Sequence, residues 1–332
     1  MVNGEWSMVN GQQARGKGNS LVQYYSQFTI CVPRFTIHHS RFTPFTRLPI
    51  HKSKQPIIMN RLLKIEWLKI KNYNAFIILS SFFALGVITV NYIIFLVNKN
   101  MVSQTGAGAL IGKFSPYNFD KTWQTTSYAS GWLLLLPALL LIILLTNEFT
   151  FRTHRQNIID GWSRQQFIHV KIIMALLAAV FSTILVFITA LSFGLFSGSP
   201  FSTYGISHVG FFFLKALSYN MVAILISVLI RRTGFAIGVF FIYMGLENFI
   251  SQLLDIWSIK LRRDNNLDLG SLGDYLPMNS ADGMLTFPEN PLKGLAKGVL
   301  PTDYPWLVLG LAIGYIVFFF WWSVNRMVKT DL

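Results

Sequence analysis

The sequence predicts an all-α integral membrane protein with six transmembrane helices, an N-terminal interface helix and a short charged helix in a cytoplasmic loop. Three observations carry this. Of 332 residues, 52% are apolar and only 13% charged, against about 25% charged in soluble domains. The mean hydropathy is +0.46. The apolar residues fall in blocks of about 20, the length that crosses a bilayer, and the charges sit between the blocks. Intrinsic disorder, collagen, small disulfide scaffolds and a single soluble domain are excluded. The one cysteine, Cys31, permits no disulfide within the chain.

Residues 1–58 differ from the rest. They hold seven Lys/Arg and one acid, no apolar run long enough for a signal-peptide core, and helix-breaking Pro33, Pro44, Pro49 and Pro56. Two readings stand: a disordered basic leader, or upstream sequence with Met59 as the natural start. Residues 59–74 follow as a basic stretch. Leu63, Trp67 and Ile70 form an apolar stripe, with Arg61, Lys64 and Lys71 around it, as suits a helix in the membrane interface. The spans are then expected at 75–97, 131–147, 172–196, 209–230, 235–254 and 305–325. Trp306 and Trp321–Trp322 mark the ends of the last as an aromatic belt.

Charge sets the orientation. Segments 59–74, 148–171, 231–234 and 326–332 hold 12 Lys/Arg and four acids in 51 residues, whereas 98–130, 197–208 and 255–304 hold eight of each in 95. The first set is therefore cytoplasmic, with both termini inside. The net charge of +14 is a topology signal and a contact to anionic lipid; no nucleic-acid partner is expected.

Motifs for chemistry fail on inspection. Gly11 to Gly18 nearly forms a phosphate-binding loop, but Gly18 stands where Ser or Thr must hold magnesium, and no buried strand precedes it. Gly112–Lys113–Phe114 fails likewise. Gly161–Trp162–Ser163 lacks the final glycine of a hydrolase elbow. His154 and His169 flank a basic loop and read as solvated or interfacial. No catalytic, cofactor-binding or metal-binding residue is assigned, and the chain is not expected to be an enzyme.

The loop 147–171 reads as helix, stop, helix. Glu148, Arg152 and Arg155 share one face at i, i+4, i+7, in the favoured ion-pair order for Glu148 and Arg152. Gly161 ends the helix. Ser163 caps the next one, with Gln166 at capping-box spacing. A short rigid helix beneath the membrane suits transmission of force from a soluble partner; an ordinary positive-inside loop is the plain alternative. The stretch Glu148, Arg152, Arg155, Asp160, Gly161, Ser163, Arg164, Phe167, Lys171 resembles the loop of ATP-binding-cassette (ABC) permeases of the type-2 exporter kind. The resemblance covers 59–332. It implies a permease subunit that forms a translocation path as a dimer, as a homodimer or with a paralogue, in a bacterial cytoplasmic (inner) membrane. It also implies separate ATPase subunits, carrying the ATP and magnesium, that dock on a coupling helix near 149–160. The external segment 255–304, with a proline-bounded helix at 291–301, is too short for a large folded module.

Lys215 and Glu247 are the two intramembrane charges. Their matched depths predict an ion pair; snorkelling of Lys215 and a path-facing Glu247 form the alternative. A secondary transporter or channel, and more remotely a membrane-embedded enzyme, compete with the exporter reading. The substrate is not encoded in any recognisable motif.

Overall fold

The computed structural model describes residues 59–104, 117–265, 267–288 and 304–329. The expectations for 1–58, for the two phosphate-loop decoys and for the helix at 291–301 lie outside the described residues. Those residues are helical without a strand, and six helices are long and apolar enough to cross a membrane. The protein is a multi-pass, all-α membrane protein.

The interface helix α1 is Met59–Ile70, and α2, the first span, is Asn74–Gln104. The second span is Phe119–Gly131 (α3) and Leu135–Thr150 (α4), joined by a 3₁₀ turn at Trp132–Leu134. Pro137 accounts for the joint. It has no N–H to give to the carbonyl four residues back, and the preceding turn tightens instead. Helix α5 is Thr153–Ile159 and α6, the third span, is Arg164–Phe196. Spans four and five are α7, Ser207–Ile230, and α8, Thr233–Asn265, separated by Arg231 and Arg232. A 3₁₀ turn at Leu272–Tyr275 and a short helix α9, Asn279–Gly283, precede the last span α10, Pro305–Lys329.

Helix α7 is the hub. It packs against α3, α4, α6, α8, α9 and α10, and 72% of its apolar window is buried, against 17% for α2 and α8. Small residues allow this closeness: Ala216, Ala223, Ser218 and Ser227 are buried along it.

The second span is longer than the expected 131–147. Helix α3 is polar in sequence, which is why the expected span starts later, yet Thr122, Thr125, Thr126, Ser127 and Ser130 are all fully buried. Thr122 and Thr125 return their hydroxyls to carbonyls four residues back, which hides the polar group within the helix. Asn91 of α2 donates to the Ser130 hydroxyl at 3.1 Å and accepts from Tyr117 at 3.1 Å, tying span one to α3. The third span begins earlier than 172, because α6 runs unbroken from its cap.

Two ends can be told apart. The basal end carries α1, α5 and the start of α6. The distal end carries the α6–α7 connection, where the Trp123 indole donates to the Ser202 carbonyl at 2.9 Å.

Candidate functional site

The expected helix–stop–helix loop forms at the basal end, with a different electrostatic partner set. Helix α4 ends at Thr150, and Arg152 turns left-handed, φ +56°. Glu148, Arg152 and Arg155 therefore do not share a helix face, and the Glu148–Arg152 pair does not form. A largely buried glutamate at the end of a span is satisfied better by a buried ammonium than by a solvated guanidinium one turn on. Glu148 turns inward to Lys171 of α6 at 2.7 Å, and Arg152 and Arg155 stay exposed.

Lys171 also binds Glu66 of α1. Lys69 closes the group, 2.9 Å from Glu66 and 3.8 Å from Glu148. Two carboxylates and two ammoniums thus form a neutral quartet linking α1, α4 and α6. The Glu66 side chain is only 1% exposed. Burial pushes its carboxyl up, but Lys171 and Lys69 outweigh burial and hold it below the usual carboxylate range. The face that α1 buries is Leu62, Glu66 and Ile70, not the expected Leu63–Trp67–Ile70 stripe; Trp67 is half exposed. The quartet sets this rotation, because Glu66 must reach Lys171.

Helix α5 is held at both ends. Gly161 has φ +104°, a conformation that side chains resist. Its N–H bonds the Ile158 carbonyl at 3.1 Å, and the Trp162 N–H bonds Asn157 at 3.0 Å. Together these form a Schellman stop. Trp162 is buried and anchors the turn. One residue later Ser163 and Gln166 form the full capping box, at 2.9 and 3.1 Å. The Ser163 oxygen accepts in that box and so fixes the start of α6. Arg164 donates to the Val328 carbonyl at 3.2 Å, tying the start of α6 to the end of α10. Asp160 accepts from Gln156 at 3.1 Å.

Two contacts join α5 to the quartet. Lys69 reaches the Asn157 side-chain carbonyl at 3.4 Å, and the His154 ring lies 3.1 Å from the Glu148 carbonyl. His154 is buried rather than solvated. Burial lowers its pKa, with Arg155 and Arg231 adding to the effect against the Glu148 hydrogen bond. Phe151 and Ile159 remain 72% and 77% exposed beside Arg152 and Arg155, so the outward face of α5 is apolar and cationic.

The expected Lys215–Glu247 pair does not form. Lys215 is buried and pairs with Asp282 of α9 at 3.2 Å, and the Tyr219 hydroxyl donates to the other Asp282 oxygen at 3.0 Å. Glu247 accepts from the backbone N–H groups of Met278 and Asn279, satisfying the first turn of α9. Both intramembrane charges thus engage one short element in the 255–304 segment rather than each other. Part of that segment packs into the bundle: Met278, Asn279, Ser280 and Ala281 are buried. Asp255 fastens its start, accepting from Ser271 at 2.6 Å and the Gly273 N–H at 2.9 Å. Gly131 makes room for the lysine, since a Cβ there would lie 3.1 Å from the Lys215 Nζ. The depth argument located the two charges at one level. It missed Asp282, which the sequence places in a loop and whose only signal is its position four residues after a proline-initiated turn.

Among the described residues no three His, Cys, Asp or Glu side chains converge as a metal site. Comparison of the chain with protein-family models and with curated proteins gives no match.

Proposed function

We propose that this chain is the permease subunit of an ATP-driven ABC exporter, in which two copies or paralogues form the path and separate ATPase subunits supply the energy. The observation that carries the reading is the clamping of α5. A seven-residue helix is held between a Schellman stop and the Arg152 turn. It exposes an apolar and cationic face and is wired to α1, α4 and α6 through Asn157, His154 and the Lys171 quartet. A push on that face from a soluble subunit reaches three membrane elements at once. The open faces of α2 and α8 offer area for a second subunit. In this reading the basal end is cytoplasmic, and α9 lies in the distal half of the path.

The test is co-purification of the chain with its ATPase in mild detergent, with hydrolysis measured. The double reversal Arg152→Glu/Arg155→Glu should abolish stimulation of hydrolysis while membrane insertion stays normal. Undiminished stimulation and transport would overturn the assignment of α5. A second reading, an ion-gradient transporter, is favoured by one observation: Lys215, Asp282 and Glu247 gathered within the bundle. It predicts transport that stops when the gradient is collapsed and continues when ATP is depleted.

A further inference from the structure

A cleft of about 460 Å³ opens between α1, α2, α4 and α6, within the range of small-molecule sites, about 300–1,000 Å³. Its walls hold no charged side chain. Trp67 and Phe76 meet edge-to-face at 5.9 Å at the lip, and Phe83, Leu140, Leu177 and Phe181 are part of the lining. Along α6 the lining runs from Met174 to Ser182. At ~1.5 Å per residue it descends about 12 Å parallel to the spans. An apolar slot that runs along the helix axes of the spans matches an acyl chain better than a compact solute.

The lip is cationic. Lys64, Trp67 and Lys71 stand at i, i+3 and i+7, one face of the helix and its first continuing residue, and all three are exposed. Lys69 is committed to the quartet, whereas Lys64 and Lys71 take part in no ion pair among the described residues. Two free ammoniums flank the tryptophan that borders the slot. We propose that this cleft binds one anionic phospholipid, with an acyl chain in the slot and the phosphate on Lys64 and Lys71. The site rests on the spanning architecture and does not depend on the exporter reading.

Native mass spectrometry of the delipidated full chain tests this, using equimolar phosphatidylglycerol and phosphatidylcholine with matched acyl chains. The phosphate of phosphatidylglycerol is not offset by a choline, and an exposed ion pair is worth about 0.2–1 kcal/mol, so with two lysines phosphatidylglycerol should be retained roughly 2- to 30-fold better. Lys64→Gln/Lys71→Gln changes only exposed positions and should bring the two lipids to parity. Ala178→Phe, on the α6 wall, should reduce retention of both. Equal retention by the parent chain would overturn the headgroup assignment. Full phosphatidylglycerol retention by a correctly eluting Ala178→Phe protein would overturn the slot. Efficient self-crosslinking of an Ala178→Cys protein, with no lipid retained, would make a second copy the occupant and refute the proposal.

Discussion

Replacing Lys171 by methionine tests the basal quartet most severely. The lysine side chain is 9% exposed and contacts Glu66 and Glu148, at 1% and 13%. Its removal leaves two carboxylates facing each other with Lys69 alone between them. Breaking a buried pair by deleting one partner costs about 3–5 kcal/mol. For a chain of this size ~1 kcal/mol moves a melting midpoint by about 2–4 °C, so the loss should be roughly 10 °C in detergent, read by fluorescence-detected size exclusion after heating. The acid limb of the pH profile should change as well. In the parent chain Glu66 is held below the carboxylate value of 4.5, so its contribution is present above that pH and fades as pH falls through the lowered value. In Lys171→Met only Lys69 opposes the burial of Glu66, so its carboxyl should move up and that contribution should shrink. Adding Glu66→Gln should recover part of the loss. A Lys171→Met midpoint within about 1 °C of the parent, or an unchanged pH profile, would refute the quartet as a stabilising unit.

Other outcomes follow from the same geometry. Lys215→Met and Asp282→Asn should be strongly non-additive, with a coupling of roughly 0.5–3 kcal/mol, whereas Lys215→Met and Glu247→Gln should combine more nearly additively; thermal midpoints of the two cycles decide it. Glu247→Ala orphans two buried N–H groups at about 1–3 kcal/mol each, and should raise hydrogen exchange at 277–283, while Glu247→Gln keeps an acceptor and should be milder. His154 has a lowered pKa, so the folded state takes up its proton later than the unfolded chain. Stability should fall as pH drops below about 6.5, and His154→Gln should flatten that part of the profile.

The spans were legible because bilayer thickness fixes a length and hydrophobicity marks it. Gly161 and the Ser163–Gln166 box were legible because caps are local and each names its own partner. The left-handed turn at Arg152 was not: nothing in an arginine announces positive φ, and periodicity carries a helical face through a break it cannot see. Glu66 was missed for a related reason. A carboxylate inside an apolar stripe looks like an interruption unless its ammonium, 105 residues away, is known. Helix α3 was hidden by its polar composition, and at Thr122 and Thr125 the hydroxyl is spent on its own helix, at little cost in the bundle. Lys215 and Glu247 were placed at the right level and paired wrongly, since depth restricts the set of partners without choosing among them.

The partner of Lys215 lies 67 positions further along the chain. At a synthesis rate of about 5–20 residues per second, the lysine enters the bilayer several seconds before Asp282 exists. During that interval the ammonium lacks its carboxylate, and an unpaired charge at mid-span carries an insertion penalty of about 2.5–3.5 kcal/mol. Until α9 arrives, a shallow fourth span with Lys215 stretched to the headgroups is the cheaper arrangement. The order of synthesis thus couples the last loop to the depth of the central helix.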